Sequence, residues 1–232
     1  MSRKFWNWLK NEQSRTLYLD GYIAEDSWFD DDITPKEFKN ELYAEEGDVV
    51  VMLNSPGGDV FAASQIYTML KEYPGHITVK IEGIAASAAS VIAMAADEVY
   101  MSPVAMMMIH NPATVIFGEV SDLKSGIAML SEVKESIINA YEQKTGLSRA
   151  KISHMMDAES WFNAWKAVEL GFADKVMYTN EDHLTEPPSA AYLFDKMTVT
   201  NALANKLPHK KLEPETSTPL SYLEKRLSLL KH

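Results

Sequence analysis

Three kinds of residue interrupt the most apolar part of this chain: the glycine pair Gly57-Gly58, then Ser87, then His110. A serine hydroxyl is a weak nucleophile until a neighbouring base takes its proton, and histidine is the side chain most often used for that. A glycine turn can aim a backbone N–H at the oxygen that becomes negative when a carbonyl is attacked. Together these are the parts of an acyl-transfer site. Each part alone also has a structural explanation. Small residues allow close helix packing, a histidine can simply end a buried strand, and most Pro-Gly-Gly turns are only turns. The order and setting of the three carry the functional reading.

Ser87 must be positioned by the stretch Val79 to Pro112. The β-branched run Ile77 to Ile81 predicts a buried strand that ends at Gly83. Ala85, Ala86, Ser87, Ala88, Ala89 and Ser90 follow and run into an apolar helix pattern, so the serine falls at a strand-to-helix junction with almost no bulk around it. The start of that helix offers free backbone N–H groups and the positive end of a dipole. Ser90, one turn further, is expected to pack inside. A second apolar run, Met106 to Ile109, ends at His110 and is broken at once by Asn111-Pro112. Asn54-Ser55-Pro56-Gly57-Gly58-Asp59 closes a third, Val49 to Leu53. Adjacent glycines after proline suit a turn needing positive φ and unobstructed N–H groups.

The remaining pattern alternates strands and helices. A strand over Thr16 to Ala24 is followed by an acidic loop, Glu25 to Asp32, read as a solvated turn and not as a metal site. Thr34-Pro35-Lys36-Glu37 starts a helix striped by Phe38, Leu42 and Tyr43. Phe61, Ile66, Met69 and Leu70 predict the buried face of the next helix. Glu98 to Met101 is a further strand. Glu119 to Lys144 is a long amphipathic helix, its stripe formed by Leu123, Ile127, Leu130, Val133, Ile137 and Tyr141. Thr145-Gly146-Leu147-Ser148 caps it and restarts a short helix over Arg149 to Met156. Ala164 to Leu170 is a helix stopped by Gly171, and Phe172 to Met177 is the last core strand. Hydrophobic strands alternating with helices imply parallel βαβ units, hence an α/β fold.

Composition bounds the function. The chain has 232 residues, 46% hydrophobic and 24% charged, ordinary values for one or two globular domains. A net charge of −11 argues against a nucleic-acid surface. The absence of cysteine removes disulfides and thiolate catalysis. Met1 to Leu9 lacks the apolar core of a secretory signal, and no 18-residue apolar run offers a membrane span, so the expected location is cytoplasmic. Trp6 and Trp8 are read as an interface patch or part of a loosely packed terminal helix. No Walker Gly-x-x-x-x-Gly-Lys and no His-Glu-x-x-His is present, so neither a nucleotide nor a metal cofactor is expected.

Asn54-Ser55-Pro56-Gly57-Gly58, Gly83-Ile84-Ala85-Ala86-Ser87, Met108-Ile109-His110-Asn111-Pro112 and the segment Ala164 to Asp174 together resemble the proteolytic subunit of the Clp proteases, within the wider Clp/crotonase fold. The resemblance covers roughly Leu17 to Met177. It implies a repeated ββα spiral with a protruding handle helix, and a serine endopeptidase working inside a homo-oligomeric ring, a heptamer or stacked double ring. ATP would enter only through a separate AAA+ unfoldase. Ser87 would be the nucleophile and His110 the base, with the N–H groups of Gly57 and Ala88 as oxyanion donors. An extended polypeptide would pair along Gly58, Asp59 and Val60 on one side and Pro112, Ala113 and Thr114 on the other. The stretch Ala113 to Gly118 and the long helix would form the handle where rings stack.

The carboxylate of the triad is where this sequence departs from the family. Counting back from Gly171, the aspartate position falls on Glu159, with Asp157 two residues earlier as the alternative. Both ends also depart from housekeeping Clp subunits. Residues 1–16 form a Trp-containing N-terminal segment ahead of a peptidase core at 17–178. Residues 179–232 read as a polar linker followed by a helix striped by Leu220, Leu223, Leu227 and Leu230. These ends resemble phage and prophage Clp-like proteases of capsid maturation. The rival readings are a crotonase-like acyl-CoA enzyme and a degenerate ring scaffold.

Overall fold

The computed structural model describes residues 6–11, 14–24 and 35–179. Its centre is a sheet whose main path runs β1(Trp6–Asn11), β2(Ser14–Ile23), β3(Val49–Gly58), β4(Ile77–Ala86), β5(Glu98–Met101) and β8(Lys175–Val176). β6(Met106–Ile109) leaves this path, pairing with β4 on one side and β7(Ser160–Asn163) on the other. Every pairing is parallel except β1 with β2 and β6 with β7. The fold is therefore α/β on a mostly parallel sheet, with helices α1(Pro35–Leu42), α2(Val60–Lys71), α3(Ala88–Ala93), α4(Val120–Thr145), α5(Arg149–Asp157) and α6(Ala164–Glu169) between the strands.

The core takes one face of these strands: Val49, Val51 and Leu53 of β3, Val79 and Ile81 of β4, and Val99 of β5 are buried, alternating with half-buried residues, and Met107 of β6 joins the same cluster. α2 contributes Ala62, Ala63, Ile66 and Leu70, whereas Phe61, expected on the buried face, is 51% exposed because it sits in the first turn, beside the mouth of a cavity.

β4 does not stop at Gly83 as its sequence pattern predicted. It continues to Ala86 and changes partner on the way: Thr78 to Ile81 pair with β5, and Ile84 to Ala86 pair with β6. Asn54 Oδ1 would lie 2.7 Å from a Cβ at Gly83, so glycine there admits a neighbouring side chain and does not end the strand. The exchange of partners brings the ends of β4 and β6 side by side. Trp6 and Trp8 belong to a strand pairing antiparallel with β2, not to a helix. The predicted last strand shrinks to Lys175–Val176. The expected tail helix and acidic loop lie outside the described residues.

α4 has two halves. Ile137, Ile138, Ala140 and Tyr141 are buried in the core, while Leu123, Ile127 and Met129 on the first half are exposed. Gly146 ends it in the left-handed conformation (φ 68°), and Ser148 caps α5 through the Lys151 N–H.

Candidate active site

Ser87 lies between the last residue of β4 and the first of α3, with φ 55° and ψ −126°. A non-glycine residue is rarely held there, and such strain persists only where the surroundings impose it. They do so through three hydrogen bonds to its backbone. The Ser87 N–H donates to the Met108 carbonyl (2.9 Å), and the Ser87 carbonyl accepts from both the N–H (3.0 Å) and the hydroxyl (2.6 Å) of Ser90. Ala86, Ala88 and Ala89 leave space for the end of β3 to pass directly against this turn.

His110 follows β6, which pairs with the second half of β4, so both side chains emerge at the same edge. Its Nε2 stands 2.7 Å from the Ser87 Oγ. That is hydrogen-bonding distance for proton transfer in either direction.

Of the two carboxylates, Glu159 stands nearer in the register. β6 and β7 pair antiparallel up to Ile109 with Ser160, so His110, which follows Ile109, and Glu159, which precedes Ser160, both lie just past the same end of that ladder. Glu159 adopts φ 47°, a second non-glycine residue in the left-handed region beside the same edge, and its Oε1 accepts from the Trp161 indole at 3.3 Å. Asp157 is engaged elsewhere. Its Oδ1 accepts from Lys134 Nζ (2.6 Å) and Asn111 Nδ2 (2.9 Å), and the Lys134 bond, then that of Asn111, hold its carboxyl below the usual range.

The two glycines divide differently from the sequence expectation. The Gly57 N–H donates to the Ser55 hydroxyl (3.1 Å), which in turn donates a hydrogen bond to the Gly21 carbonyl (2.5 Å). Gly57 therefore has its donor committed to its own turn. The Asp59 N–H points to Ile23 of β2 (2.8 Å), so in an extended backbone the preceding Gly58 N–H faces the opposite way, toward the Ser87 turn. Gly58, and not Gly57, lines the cavity there. Gly57 has a steric role instead. A Cβ built on it would lie 2.6 Å from the Ala86 carbonyl oxygen and 2.7 Å from the Ser87 Cβ. With φ at 100° as well, Gly57→Ala is expected to displace the Ser87 turn. The expected result is a protein that still folds but reacts with a fluorophosphonate probe at least about ten times more slowly, a fraction of the 10²–10³ that loss of one oxyanion donor costs.

A cavity of about 360 Å³ opens beside these groups. Gly58, Asp59, Val60, Ser87, Ala88, His110, Pro112, Ala113 and Thr114 all line it, so the residues predicted to contact substrate share one space with the Ser87–His110 pair. The Asp59 carboxylate does not face substrate freely, because it caps α2 through the Ala62 N–H at 2.7 Å. The rest of the lining is mainly apolar and comes mostly from α4, through Met129, Leu130, Val133, Ile137 and Tyr141, with Phe61 of α2 and Val91 of α3 beside them. Among the described residues no group of three or more His, Asp or Glu side chains is arranged to hold a metal ion, and no helix is long and apolar enough to cross a membrane.

The model of the Clp protease family matches residues 13–180. The chain belongs to the Clp protease family. Among its relatives is the ATP-dependent Clp protease proteolytic subunit 1 of Chlamydia muridarum, 32% identical over 146 residues, or 61% of this chain and 76% of that protein. The subunit of the same name from Protochlamydia amoebophila is 30% identical over 173 residues, 73% of this chain and 83% of the relative. A solved structure, that of a ClpP1 point mutant from Listeria monocytogenes, superposes with a TM-score of 0.61 at 23% identity, covering 72% of this chain and 92% of that one. At that identity the likeness speaks for the fold, which is of the Clp type.

Within this Clp protease fold, sequence reasoning missed the apolar wall of the cavity. The stripe on α4 is visible in the sequence, but nothing local says that its middle faces the Ser87 turn and not solvent or a partner. The Ser90–Tyr141 contact was equally out of reach, since the two residues are far apart in the chain.

Proposed function

We propose that this member of the Clp protease family is a serine endopeptidase in which Ser87 is the nucleophile and His110 the general base. The observation that carries the proposal is the 2.7 Å approach of His110 Nε2 to the Ser87 Oγ at the mouth of the cavity. The Ser87 Oγ attacks the carbonyl carbon of a peptide bond while its proton passes to Nε2. The carbonyl oxygen becomes negative and is met by the N–H groups of Ala88 and Gly58. The carbon–nitrogen bond then breaks, Nε2 returns the proton to the leaving amine, and an acyl ester remains on Ser87. Water, deprotonated by the same imidazole, releases the acid and restores the serine. Glu159 orients the imidazole from across the β6–β7 ladder.

Substrate is an extended polypeptide lying between Gly58 to Val60 and Pro112 to Thr114, with a side chain in the apolar cavity. The exposed Phe117, Val120, Leu123 and Ile127 beside the first half of α4 support assembly with further copies into a ring. An AAA+ unfoldase is the partner that would feed such a compartment. The narrower role, capsid-protein processing in phage head maturation, rests on the two terminal segments.

The crotonase-like reading needs two backbone donors but no serine–histidine pair, and a scaffold needs neither. A fluorophosphonate or β-lactone probe distinguishes these. A stoichiometric adduct on Ser87 that vanishes in Ser87→Ala is the expected result, with casein or capsid-precursor digestion by an oligomer on a sizing column. A folded protein that takes no label would sink the peptidase reading.

A further inference from the structure

Behind the Ser87 turn lies a polar pair that the proposed mechanism does not use. Ser90 and Tyr141 are buried, at 0% and 1% exposure, and their hydroxyls are 2.8 Å apart. The Ser90 hydroxyl is also 2.6 Å from the Ser87 carbonyl. A carbonyl only accepts, so the single Ser90 proton goes to it, and the Tyr141 hydroxyl must donate to Ser90. The direction of the chain is thereby fixed: Tyr141 to Ser90 to the Ser87 carbonyl. Burial pushes the Tyr141 phenol well above its ordinary range, which keeps that proton in place. The Phe172 ring packs edge-to-face with the tyrosine, with centroids 5.6 Å apart.

The Ser87 carbonyl shares a peptide unit with the Ala88 N–H. No peptide here is cis among the described residues, so the two groups point in opposite directions. A carbonyl drawn inward by Ser90 therefore turns the Ala88 N–H outward, into the cavity that Ala88 lines. This orientation is not the one Ser87 would choose alone. From ψ −126°, half a turn brings ψ to about +54°, which with φ 55° is the well-populated left-handed region. That rotation would open the first turn of the six-residue α3 and carry the N–H away from the cavity.

We propose that the Tyr141–Ser90 hydroxyl pair locks the Ser87–Ala88 peptide in the orientation that presents the Ala88 N–H to the reacting oxygen. Tyr141 is then a positioning residue, and it ties the long helix α4 to the chemistry. The inference rests on the peptidase reading above.

Its test compares Tyr141→Phe, Ser90→Ala and the double variant with wild type, using a fluorogenic peptide, the matching peptide aldehyde and the matching peptide alcohol. The phenylalanine keeps the ring and its packing, and equal melting temperatures confirm that the fold is intact. Ser90→Ala should lower kcat about 10–100-fold and Tyr141→Phe several-fold, less than the 10²–10³ that outright loss of an oxyanion donor costs. KM and affinity for the alcohol should be unchanged, while affinity for the aldehyde, which forms a tetrahedral adduct, falls in parallel with kcat. The double variant should be no worse than Ser90→Ala, because the two hydroxyls act in series. Unchanged kcat in both single variants, or alcohol binding lost in step with kcat, would overturn the inference alone. A wild type that forms no Ser87 adduct overturns the peptidase reading and this inference with it.

Discussion

Ser87→Ala is expected to abolish peptide hydrolysis, lowering kcat by roughly 10⁶-fold, and His110→Ala should fall to the same floor. The double variant should fall no further. The reason is mechanistic: a hydroxyl without a base 2.7 Å away is scarcely nucleophilic, and a base without the hydroxyl has no proton to take. Residues that act as one unit lose their whole contribution when either is removed. KM should change little in Ser87→Ala, because the cavity wall from α4 is untouched. Both variants should also keep their melting temperature, since Ser87 and His110 sit at strand ends and not in the packed core. The measurement is single-turnover hydrolysis of a fluorogenic peptide. Activity in Ser87→Ala within a factor of ten of wild type (against the roughly 10⁶ expected) would move the chemistry to another residue.

The site was legible where the chemistry depends on residue type at strand ends. Serine among alanines after one apolar run, and histidine after another, announce themselves because those runs have no alternative but to be buried strands. β5 and β6 fall on the residues their patterns predicted, Glu98 to Met101 and Met106 to Ile109. What the pattern could not give was partnership. Gly83 looks like a strand end because glycine lacks a side chain to pack, yet β4 passes through it while changing neighbours from β5 to β6. β7 is Ser-Trp-Phe-Asn, polar at both ends and without the apolar run that marks β6, and it takes its form from antiparallel pairing with β6. The choice between Gly57 and Gly58 turned on which N–H faces outward, and that is fixed by Ser55 and by Ile23 of another strand. Hydrogen-bond direction at a turn is a tertiary fact.

Glu159→Gln is the substitution with the next largest expected effect, a fall in kcat of about 10³–10⁴ with KM retained. A neutral amide of the same shape leaves packing intact but no longer stabilises the imidazolium formed when Ser87 gives up its proton. Asp157→Asn provides the contrast, because its carboxylate is 56% exposed and bound to Lys134 and Asn111 at the surface. Its kcat should stay within the same order of magnitude as wild type. Its effect should appear in stability instead. The folded carboxyl is held below its ordinary range, so its contribution is present above the unfolded pKa and is lost as pH falls through the folded one. The variant should therefore melt slightly lower than wild type at neutral pH, by at most about 1 kcal/mol given the solvent screening of this pair, and the gap should close in acid. Kinetics and melting read the two carboxylates independently. A large loss of kcat in Asp157→Asn with normal turnover in Glu159→Gln would transfer the orienting role to Asp157, and would mean that the longer glutamate, held at φ 47°, serves the turn and not the imidazole.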